Sequence, residues 1–519
     1  MWYLALLIVV TLSAGAGRWT SAPVRAASVR PTSATAPPGA CAALRAVTAG
    51  VTSATVSPAG VFQPSAGTAT GARALEIPQP FCRVALVLRP SSDSEIHVEV
   101  WLPETGWNGR FQAVGNGAFN GAINYAAMAA ALRRGYATAS TDTGHVGGGA
   151  AWALGHPDKV IDFGWRAVHQ MVVAAKRIAA AYYQSPPRFS YWNGCSAGGR
   201  QGLKAIQRFP EDFDGVVAGA PGLDWTGRAA QANRVAKALD EDPGARLTAA
   251  DRRLLHDEVL AACDARDGVK DGVLESPADC TFDPATVACP RANAGACLAA
   301  AKVETARSIY ASRANPASGR AIPGLAPGSE LGWTDLGWTS SARATGLDQF
   351  RFLVFADPNW TLRQFDFDRD IVLAEARDGG TINALDPDIA PFFRRGGKLL
   401  HYHGWSDPQI SPLISTQYFG RVAATVGGPE ALSGSYRLFM APGMGHCSGG
   451  DGPNRFDALA ALEQWVESGR PPDAIVASRT AGAVVDRTRP LCPYPQVAVY
   501  SGSGSTDDAR NFACTAAAR

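Results

Sequence analysis

The sequence predicts an α/β protein whose mostly parallel sheet is interrupted by a large insertion. Three observations indicate this. Across residues 81–221, short apolar runs typical of buried strands alternate with runs that have a helical period. Residues 224–393 break this alternation and are rich in tryptophan, proline and polar turns. The alternation returns at residues 397–403, so we expect the middle segment to be inserted between strands of one sheet.

The first residues have the character of an export signal. Residues 1–14 form an apolar run that is too short to cross a bilayer comfortably, although a basic start is missing. Small residues make cleavage after Ala16 or Ala26 possible. We interpret residues 1–27 as a signal peptide and residues 28–40 as a linker rich in proline, serine and threonine. An uncleaved anchor or a wrongly assigned start is the alternative.

The charge balance argues against a nucleic-acid partner. The chain has 48 basic and 46 acidic residues, and no basic stripe of the kind that neutralises phosphates. We also expect no stable membrane association.

The ten cysteines form an even set with several close spacings, which suits a secreted or periplasmic protein. Local pairing is the simplest expectation for eight of them. These pairs are Cys41 with Cys82, Cys263 with Cys280, Cys289 with Cys297, and Cys492 with Cys514. Cys195 and Cys447 remain.

The early part of the predicted sheet begins with strands at residues 84–88 and 96–102, which we expect near a sheet edge. A further strand at residues 111–114 runs into a glycine-rich loop, and a helix is predicted over residues 126–134. Another strand at residues 136–140 continues the alternation.

The strand at residues 188–192 leads into Gly194-Cys195-Ser196-Ala197-Gly198, and a helix is predicted over residues 199–209. This G-x-S-x-G pattern is that of a nucleophile elbow, in which a serine lies on a sharp turn from strand to helix. Small flanking residues suit such a turn because it needs unusual backbone angles and close packing. Together with the alternating pattern, the elbow predicts the α/β-hydrolase fold, with Ser196 as nucleophile.

Two backbone N–H groups are candidates for an oxyanion hole. In an α/β-hydrolase one comes from a loop after an early strand and the other from the residue after the nucleophile. Gly117 and Ala197 occupy those positions. A glycine turn that only packs tightly is the alternative for Gly117.

A serine nucleophile needs a histidine to take its proton and a carboxylate to orient that histidine. His446 lies in a glycine-rich loop after a predicted strand at residues 436–440, and Asp407 lies in a loop after the strand at residues 397–403. Both follow Ser196 in the order typical of α/β-hydrolases. An ordinary Asp-Pro turn is the alternative for Asp407.

The two remaining cysteines are the neighbours of the predicted nucleophile and base. If Ser196 and His446 lie within hydrogen-bond reach, Cys195 and Cys447 are also close, and a disulfide between them is geometrically allowed. Cys195 as the nucleophile is a rival interpretation that export disfavours.

His401 and His403 alternate on one face of the same predicted strand. Such a pair can bind metal, but no third ligand is suitably spaced, so packing within the strand is favoured.

A loop within the inserted segment carries Asp264, Asp267 and Asp271, with a glycine after two of them. Closely spaced carboxylates on a tight loop favour a hard cation, and we predict Ca²⁺. The spacing is not that of an EF-hand. A solvated turn held by the flanking cysteines is the alternative.

These motifs together resemble the tannase and feruloyl esterase family, which also includes the mono(2-hydroxyethyl) terephthalate hydrolase. The resemblance extends over nearly the whole mature chain, and it rests on the elbow, the Asp407 loop and His446-Cys447. It implies a sheet domain over residues 41–223 and 394–519, with a lid domain over residues 224–393. The lid is expected at the carboxyl edge of the strands, where ligands bind. An independent binding domain is the alternative.

The resemblance also implies the disulfide between Cys195 and Cys447, and a structural Ca²⁺ in the lid. The ion would be held by the three aspartates and by the backbone carbonyls of Val269 and Val273. No organic cofactor is expected.

The implied activity is that of a secreted serine carboxylesterase acting on esters of aromatic acids, such as feruloyl or galloyl esters, through an acyl-enzyme. The substrate would be a small ester or an ester on a polysaccharide or polyphenol. Trp333 and Trp338 would stack on the aryl ring, with a lid-core role as the alternative. Other readings are a terephthalate-monoester-type hydrolase, another exported serine hydrolase, or an inactive calcium-stabilised binding protein.

Overall fold

The computed structural model describes residues 37, 39–64, 73–290, 296–334 and 344–516. The predicted signal peptide, most of the predicted linker and Trp338 lie outside the described residues. None of the helices in the described chain has the length and apolar character that a membrane span requires.

A mixed sheet forms the centre of the protein, built from nine strands of the described chain. In chain order they are β1 Val51–Ser57, β2 Phe81–Leu88, β3 Ile96–Pro103, β4 Arg110–Val114, β5 Ala137–Thr141, β6 Phe189–Cys195, β7 Gly215–Gly219, β8 Lys398–Gly404 and β9 Tyr436–Ala441. Across the sheet they follow the order β1-β2-β3-β5-β4-β6-β7-β8-β9. The pairs β1–β2, β2–β3 and β3–β5 are antiparallel. The remaining neighbouring pairs are parallel. This confirms the predicted α/β-hydrolase fold.

The central strands are buried on both faces, as expected for a sheet covered by helices. All residues of β5 and β7 are buried. By contrast, β1 was not predicted, because this edge strand is rich in serine and threonine and buries only Ala54.

Helices of eight or more residues in the described chain cover the sheet and build the insertion. They are α1 Tyr125–Arg133, α2 Ala167–Tyr183, α3 Ala197–Arg208, α4 Trp225–Glu241, α5 Ala249–Cys263, α6 Ala300–Tyr310, α7 Phe367–Asp378, α8 Leu413–Val426 and α9 Ala458–Ser468. A π-helical turn at Asp162–Arg166 directly precedes α2. The elbow helix, α3, packs against β6 and β7.

Short two-stranded sheets complete the described fold. They are Gly60–Phe62 with Leu75–Ile77, Arg313–Ala314 with Ala321–Ile322, Ile475–Ala481 with Val484–Leu491, and Gln496–Tyr500 with Phe512–Ala516.

Between β7 and β8 the chain leaves the sheet and forms α4 to α7. This segment has apolar clusters of its own: α4, α5 and α6 contribute to one, and α4 and α7 to another. It therefore has enough buried surface to hold a defined shape above the sheet.

All ten cysteines are paired, in the combinations expected from the sequence. The Cα–Cα distances are 5.6 Å for Cys41–Cys82, 6.0 Å for Cys195–Cys447, 5.7 Å for Cys263–Cys280, 4.8 Å for Cys289–Cys297 and 5.4 Å for Cys492–Cys514. Two bridges lie within the insertion and one joins the C-terminal hairpin to the end of the preceding one.

Candidate active site

Ser196 lies at the turn from β6 to α3 with φ 63° and ψ −123°. L-residues rarely adopt this conformation, and it persists only where the surroundings enforce it. Two backbone hydrogen bonds hold it here: the Ser196 N–H donates to Gly219 O at 2.9 Å, and Gly222 N–H donates to Ser196 O at 3.1 Å. The elbow is therefore fixed by the loop that follows β7.

The glycines around Ser196 are there because the backbone packs too closely for side chains. A Cβ at Gly194 would lie 2.6 Å from the carbonyl carbon of Gly198. A Cβ at Gly199 would lie 2.4 Å from Gly219 O. Any larger residue at these positions would force the turn apart.

The loops after β8 and β9 lie side by side at the same edge of the sheet. Trp405 N–H donates to Ala441 O at 2.9 Å, and Ser406 N–H donates to Met444 O at 3.0 Å. A Cβ at Gly404 would lie only 2.2 Å from Met444 O. Parallel register and these contacts bring the loops with the predicted acid and base together.

Asp407 is completely buried and accepts hydrogen bonds on both oxygens. Its Oδ2 accepts from His446 Nδ1 at 2.7 Å and from His403 Nε2 at 3.1 Å. Its Oδ1 accepts from the backbone N–H groups of Gln409 and Ile410 at 2.8 and 3.0 Å. The carboxylate is thus held by four donors in one orientation.

The charge state of Asp407 follows from these neighbours. Burial alone would raise its pKa, but the charge of His446 and the hydrogen bonds from His403 and His446 hold the pKa well below its usual range. The carboxylate is therefore ionised at neutral pH and acts only as an acceptor. Consequently the neutral imidazole of His446 carries its hydrogen on Nδ1, which leaves Nε2 able to take a proton.

The disulfide between Cys195 and Cys447 joins the elbow to the histidine loop, although 252 positions separate the two residues. Since Ser196 directly follows Cys195 and His446 directly precedes Cys447, the bridge makes them neighbours. The described contacts include no Ser196–His446 hydrogen bond, and such bonds tighten when substrate binds. The structure thus brings Ser196, Asp407 and His446 to one site.

The loop after β4 packs against the start of α3. A Cβ at Gly115 would lie 2.5 Å from Gly198 Cα. Asn116 N–H also donates to Gln201 Oε1 at 3.1 Å. The loop that carries Gly117 therefore packs against the first turn of α3, which begins at Ala197, and the N–H of Ala197 has no acceptor within its own helix.

An aromatic cluster surrounds Ala197. Its buried members include Phe119, Phe163 and Trp225, and the Phe119 and Trp225 rings pack edge to face with centroids 5.1 Å apart. The half-buried side chains of Trp152 and Phe352 pack against it. Sequence analysis missed this cluster, because its members come from four separate segments and follow no common pattern.

Trp333 corrects the sequence-based assignment of an aryl-stacking residue. It is fully buried in the apolar core of the inserted segment, against Tyr310 at a centroid distance of 4.9 Å. Its indole N–H donates to Ser329 Oγ at 2.9 Å. The ring is thus a lid-core residue, the alternative considered from the sequence, and Trp338 lies outside the described residues.

The predicted calcium loop folds around its own carboxylates. Asp264 Oδ2 accepts from Gly272 N–H and Asp267 Oδ1 accepts from Val269 N–H, both at 2.9 Å. Asp271 pairs with Arg489, which lies in the hairpin formed by Ile475–Ala481 and Val484–Leu491. Among the described residues, no three acidic, histidine or cysteine side chains converge as a metal-binding group.

The donor chemistry of this loop nevertheless fits a hard cation. Burial raises the pKa of Asp267, and the negative charges of Asp271 and Asp264 raise it further. Asp264 is buried and Asp267 and Asp271 are partly buried. Carboxylates that repel one another on one loop are the ligand type that Ca²⁺ prefers. The oxygens of Asp264 and Asp267 each accept from one backbone N–H and keep a second lone pair, whereas Asp271 Oδ2 pairs with Arg489.

Comparison with known proteins agrees with this geometry. A family model described as "Tannase and feruloyl esterase" matches residues 82–515. The chain belongs to this family. An uncharacterized esterase from Xanthomonas campestris is 38% identical over 511 residues, covering 88% of this chain and 87% of its own length. A probable feruloyl esterase B-2 from Aspergillus terreus is 36% identical over 465 residues, covering 86% and 88%.

Solved structures of tannase and feruloyl esterase family proteins show the same fold. Feruloyl esterase B from Aspergillus oryzae matches with a TM-score of 0.87 and 33% identity, covering 92% of this chain and 99% of that chain. The tannin acyl hydrolase from Aspergillus niger matches with a TM-score of 0.74 and 22% identity, covering 90% of each chain, which supports the fold alone. This family member is therefore an esterase of the feruloyl esterase and tannase type.

Proposed function

We propose that this family member is a serine carboxylesterase that hydrolyses esters of aromatic acids through an acyl-enzyme. The observation that carries the proposal is the hydrogen bond from His446 to a buried, ionised Asp407, beside a serine held on a nucleophile elbow. The disulfide between Cys195 and Cys447 adds a covalent link between the elbow and the histidine loop.

In the first half-reaction, Ser196 Oγ attacks the ester carbonyl carbon while His446 Nε2 takes the hydroxyl proton. Asp407 stabilises the resulting imidazolium. The negative charge on the former carbonyl oxygen is stabilised by the N–H groups of Gly117 and Ala197. Collapse of the tetrahedral intermediate breaks the bond to the alcohol oxygen, which receives the proton from His446.

In the second half-reaction, a water molecule replaces the alcohol. His446 Nε2 takes one of its protons as the water oxygen attacks the acyl carbon. The intermediate then collapses with release of the acid, and the proton returns to Ser196. Proton transfer is balanced over the cycle, so no external acid or base is consumed beyond the ionisation of the product.

Two observations support an aromatic acyl group. Aromatic side chains pack around Ala197, next to the site where the acyl carbon would be attacked. Relatives in the family are named feruloyl esterases. The aryl ring of such a substrate and these aromatic side chains would favour offset or edge-to-face contacts. The substrate class is therefore a feruloyl, galloyl or related aromatic ester, free or attached to a polysaccharide or polyphenol.

We include export and calcium binding in the proposal. Five disulfides support folding in an oxidising compartment, outside the cell or in the periplasm. The side chains of Asp264, Asp267 and Asp271, with the carbonyls of Val269 and Val273, would hold the Ca²⁺. When bound, the ion would neutralise the loop and stabilise the insertion, with no part in ester cleavage.

The activity is tested on methyl ferulate, methyl gallate and mono(2-hydroxyethyl) terephthalate with wild type, Ser196→Ala and a control, Ser448→Ala. Ser448 is an exposed serine two positions after His446. We expect turnover of at least one ester that is lost in Ser196→Ala and kept in Ser448→Ala. Turnover that survives Ser196→Ala contradicts the serine mechanism, and absence of turnover on all three favours the inactive binding protein.

A further inference from the structure

The two histidines of the H-x-H pair belong to a buried chain of polar side chains that ends at Asp407. Every member is at most 1% exposed. The hydrogen-bond contacts are Tyr436 Oη to His401 Nδ1 at 2.8 Å, His401 Nε2 to Ser415 Oγ at 2.8 Å, Ser415 Oγ to His403 Nδ1 at 2.7 Å, and His403 Nε2 to Asp407 Oδ2 at 3.1 Å. The chain connects β8, β9 and α8 behind the candidate site.

The acceptors at one end of this chain determine the direction of hydrogen-bond donation along it. His403 Nε2 faces the carboxylate and also Ile410 O at 3.1 Å, and both are acceptors, so Nε2 carries a hydrogen. In a neutral His403, Nδ1 then accepts from the Ser415 hydroxyl. The Ser415 oxygen accepts from His401 Nε2, and His401 Nδ1 accepts from the Tyr436 hydroxyl. All four donors therefore point towards the carboxylate.

The reverse arrangement is less well satisfied. A cationic His403 would donate from both nitrogens and turn the Ser415 hydrogen towards His401. The Tyr436 hydroxyl would then have to accept from His401, and its own hydrogen would have no acceptor within the described contacts. Burial also lowers the pKa of His401 well below its usual value, which keeps that ring neutral. A buried donor without a partner is costly, so the chain directed at the carboxylate is favoured.

We propose that His403 is a positioning residue of the esterase, which holds Asp407 in place for His446 through a hydrogen bond that Ser415 and His401 fix from behind. This inference rests on the proposed function. His403 supplies one of the four donors around the carboxylate, and the chain behind it fixes the tautomer that makes this donation possible. The H-x-H pair thus serves orientation of the catalytic carboxylate.

Loss of this donor has two consequences for catalysis. The carboxylate loses one of its two contacts on Oδ2, so the carboxylate and the His446 ring bonded to it are less precisely oriented towards Ser196, which lowers kcat. With one donor fewer, the negative charge on Oδ2 is less neutralised, so it stabilises the imidazolium of His446 more strongly. This moves the acid limb of kcat/KM to higher pH. Arg228, whose pKa burial lowers to about 10, adds a nearby positive charge that is the same in every variant.

The test compares His403→Leu, His403→Gln, Ser415→Ala and Tyr436→Phe with wild type. Leucine removes the donor, whereas glutamine keeps an N–H at the position of Nε2. Ser415→Ala interrupts the chain one step behind His403 with a minimal change in size. Active sites are counted with a serine-reactive phosphonate, so that kcat refers only to correctly folded enzyme, and kcat and KM are measured across the pH range of histidine titration.

We expect His403→Leu to lower kcat roughly 10-fold to 100-fold with KM changed by less than about 2-fold, and to shift the acid limb upwards. His403→Gln restores most of kcat, Ser415→Ala has an intermediate effect, and Tyr436→Phe, which removes the donor farthest from the carboxylate, has a smaller effect than Ser415→Ala. An unchanged kcat per active site and an unchanged acid limb in both His403→Leu and Ser415→Ala overturn the proposal, even if thermal stability falls. Glutamine performing no better than leucine also overturns it.

Failure of the proposed function gives a different result. If wild type turns over none of the esters, the rate at which the phosphonate labels Ser196 still reports on the serine and histidine. A slower labelling rate in His403→Leu than in wild type supports the positioning role, and an equal rate contradicts it.

Discussion

Removing the disulfide between Cys195 and Cys447 perturbs stability and catalysis at the same point of the structure. The bridge closes a loop of 252 residues, and the chain-entropy model assigns about 5.5 kcal/mol of unfolding free energy to a closure of that length. The bridges at Cys263–Cys280 and Cys289–Cys297 lie inside this loop and span only 17 and 8 residues. These two bridges shorten the loop only slightly, so the closure entropy, which depends on the logarithm of loop length, hardly changes.

The matched control is the bridge between Cys289 and Cys297, which closes only 8 residues. The same model assigns about 2.5 kcal/mol to it. We therefore expect Cys195→Ser/Cys447→Ser to lower the melting temperature about twice as much as Cys289→Ser/Cys297→Ser. Only the first variant separates the nucleophile from the base, and misplacement of reacting groups by about 1 Å costs roughly 100-fold in rate.

The assay combines differential scanning fluorimetry with ester hydrolysis at a temperature where all variants are folded. The expected result is a lowered kcat in Cys195→Ser/Cys447→Ser and a kcat close to wild type in the control. Equal losses of melting temperature in the two variants would refute the loop-length reasoning. A normal kcat in the variant without the Cys195–Cys447 bridge would show that packing alone aligns Ser196 with His446.

Two further predictions concern the carboxylates. Asp407→Asn removes the buried charge that holds the His446 tautomer, so we expect kcat to fall about 10³-fold to 10⁴-fold. Steady-state kinetics measures the loss, and circular dichroism checks that the variant is folded. A loss below about 10-fold contradicts the assigned role. A chelator should lower the melting temperature of wild type, and added Ca²⁺ should restore it, by about 2.7 kcal/mol of stability at a concentration 100 times Kd. Asp267→Asn should abolish this response, and Asp283→Asn, an exposed position in the same inserted segment, should keep it. If the chelator leaves the melting temperature of wild type unchanged, calcium is removed from the proposal.

Local steric and chemical requirements explain why much of the site was predictable. The elbow needs Gly194 because only a residue without a side chain fits the close approach between β6 and α3, and Gly198 lies against Gly115 and Asn116 of the loop after β4. Loops that follow parallel strands converge at one edge of a sheet, which placed Asp407 and His446 together. The bridge between Cys195 and Cys447 then followed, because these cysteines are the chain neighbours of Ser196 and His446.

Other features depended on contacts that no local pattern encodes. An edge strand such as Val51–Ser57 buries too little to show a clear apolar period. Trp333 could have faced a substrate or a core, and only the packing of the inserted segment decides that it is buried. The aromatic cluster around Ala197 brings together residues such as Phe119 and Trp225 that have no common spacing.

By itself, the sequence predicted the α/β-hydrolase fold, the sharp turn at Ser196 and the proximity of Asp407 to His446, because strand periodicity and turn chemistry are local properties. Only the tertiary structure decided what surrounds Asp407. His403 and Ser415 meet behind it because β8 and α8 pack in one register, and register depends on the whole sheet. The orientation of the Asp407 carboxylate is therefore a property of the packed fold.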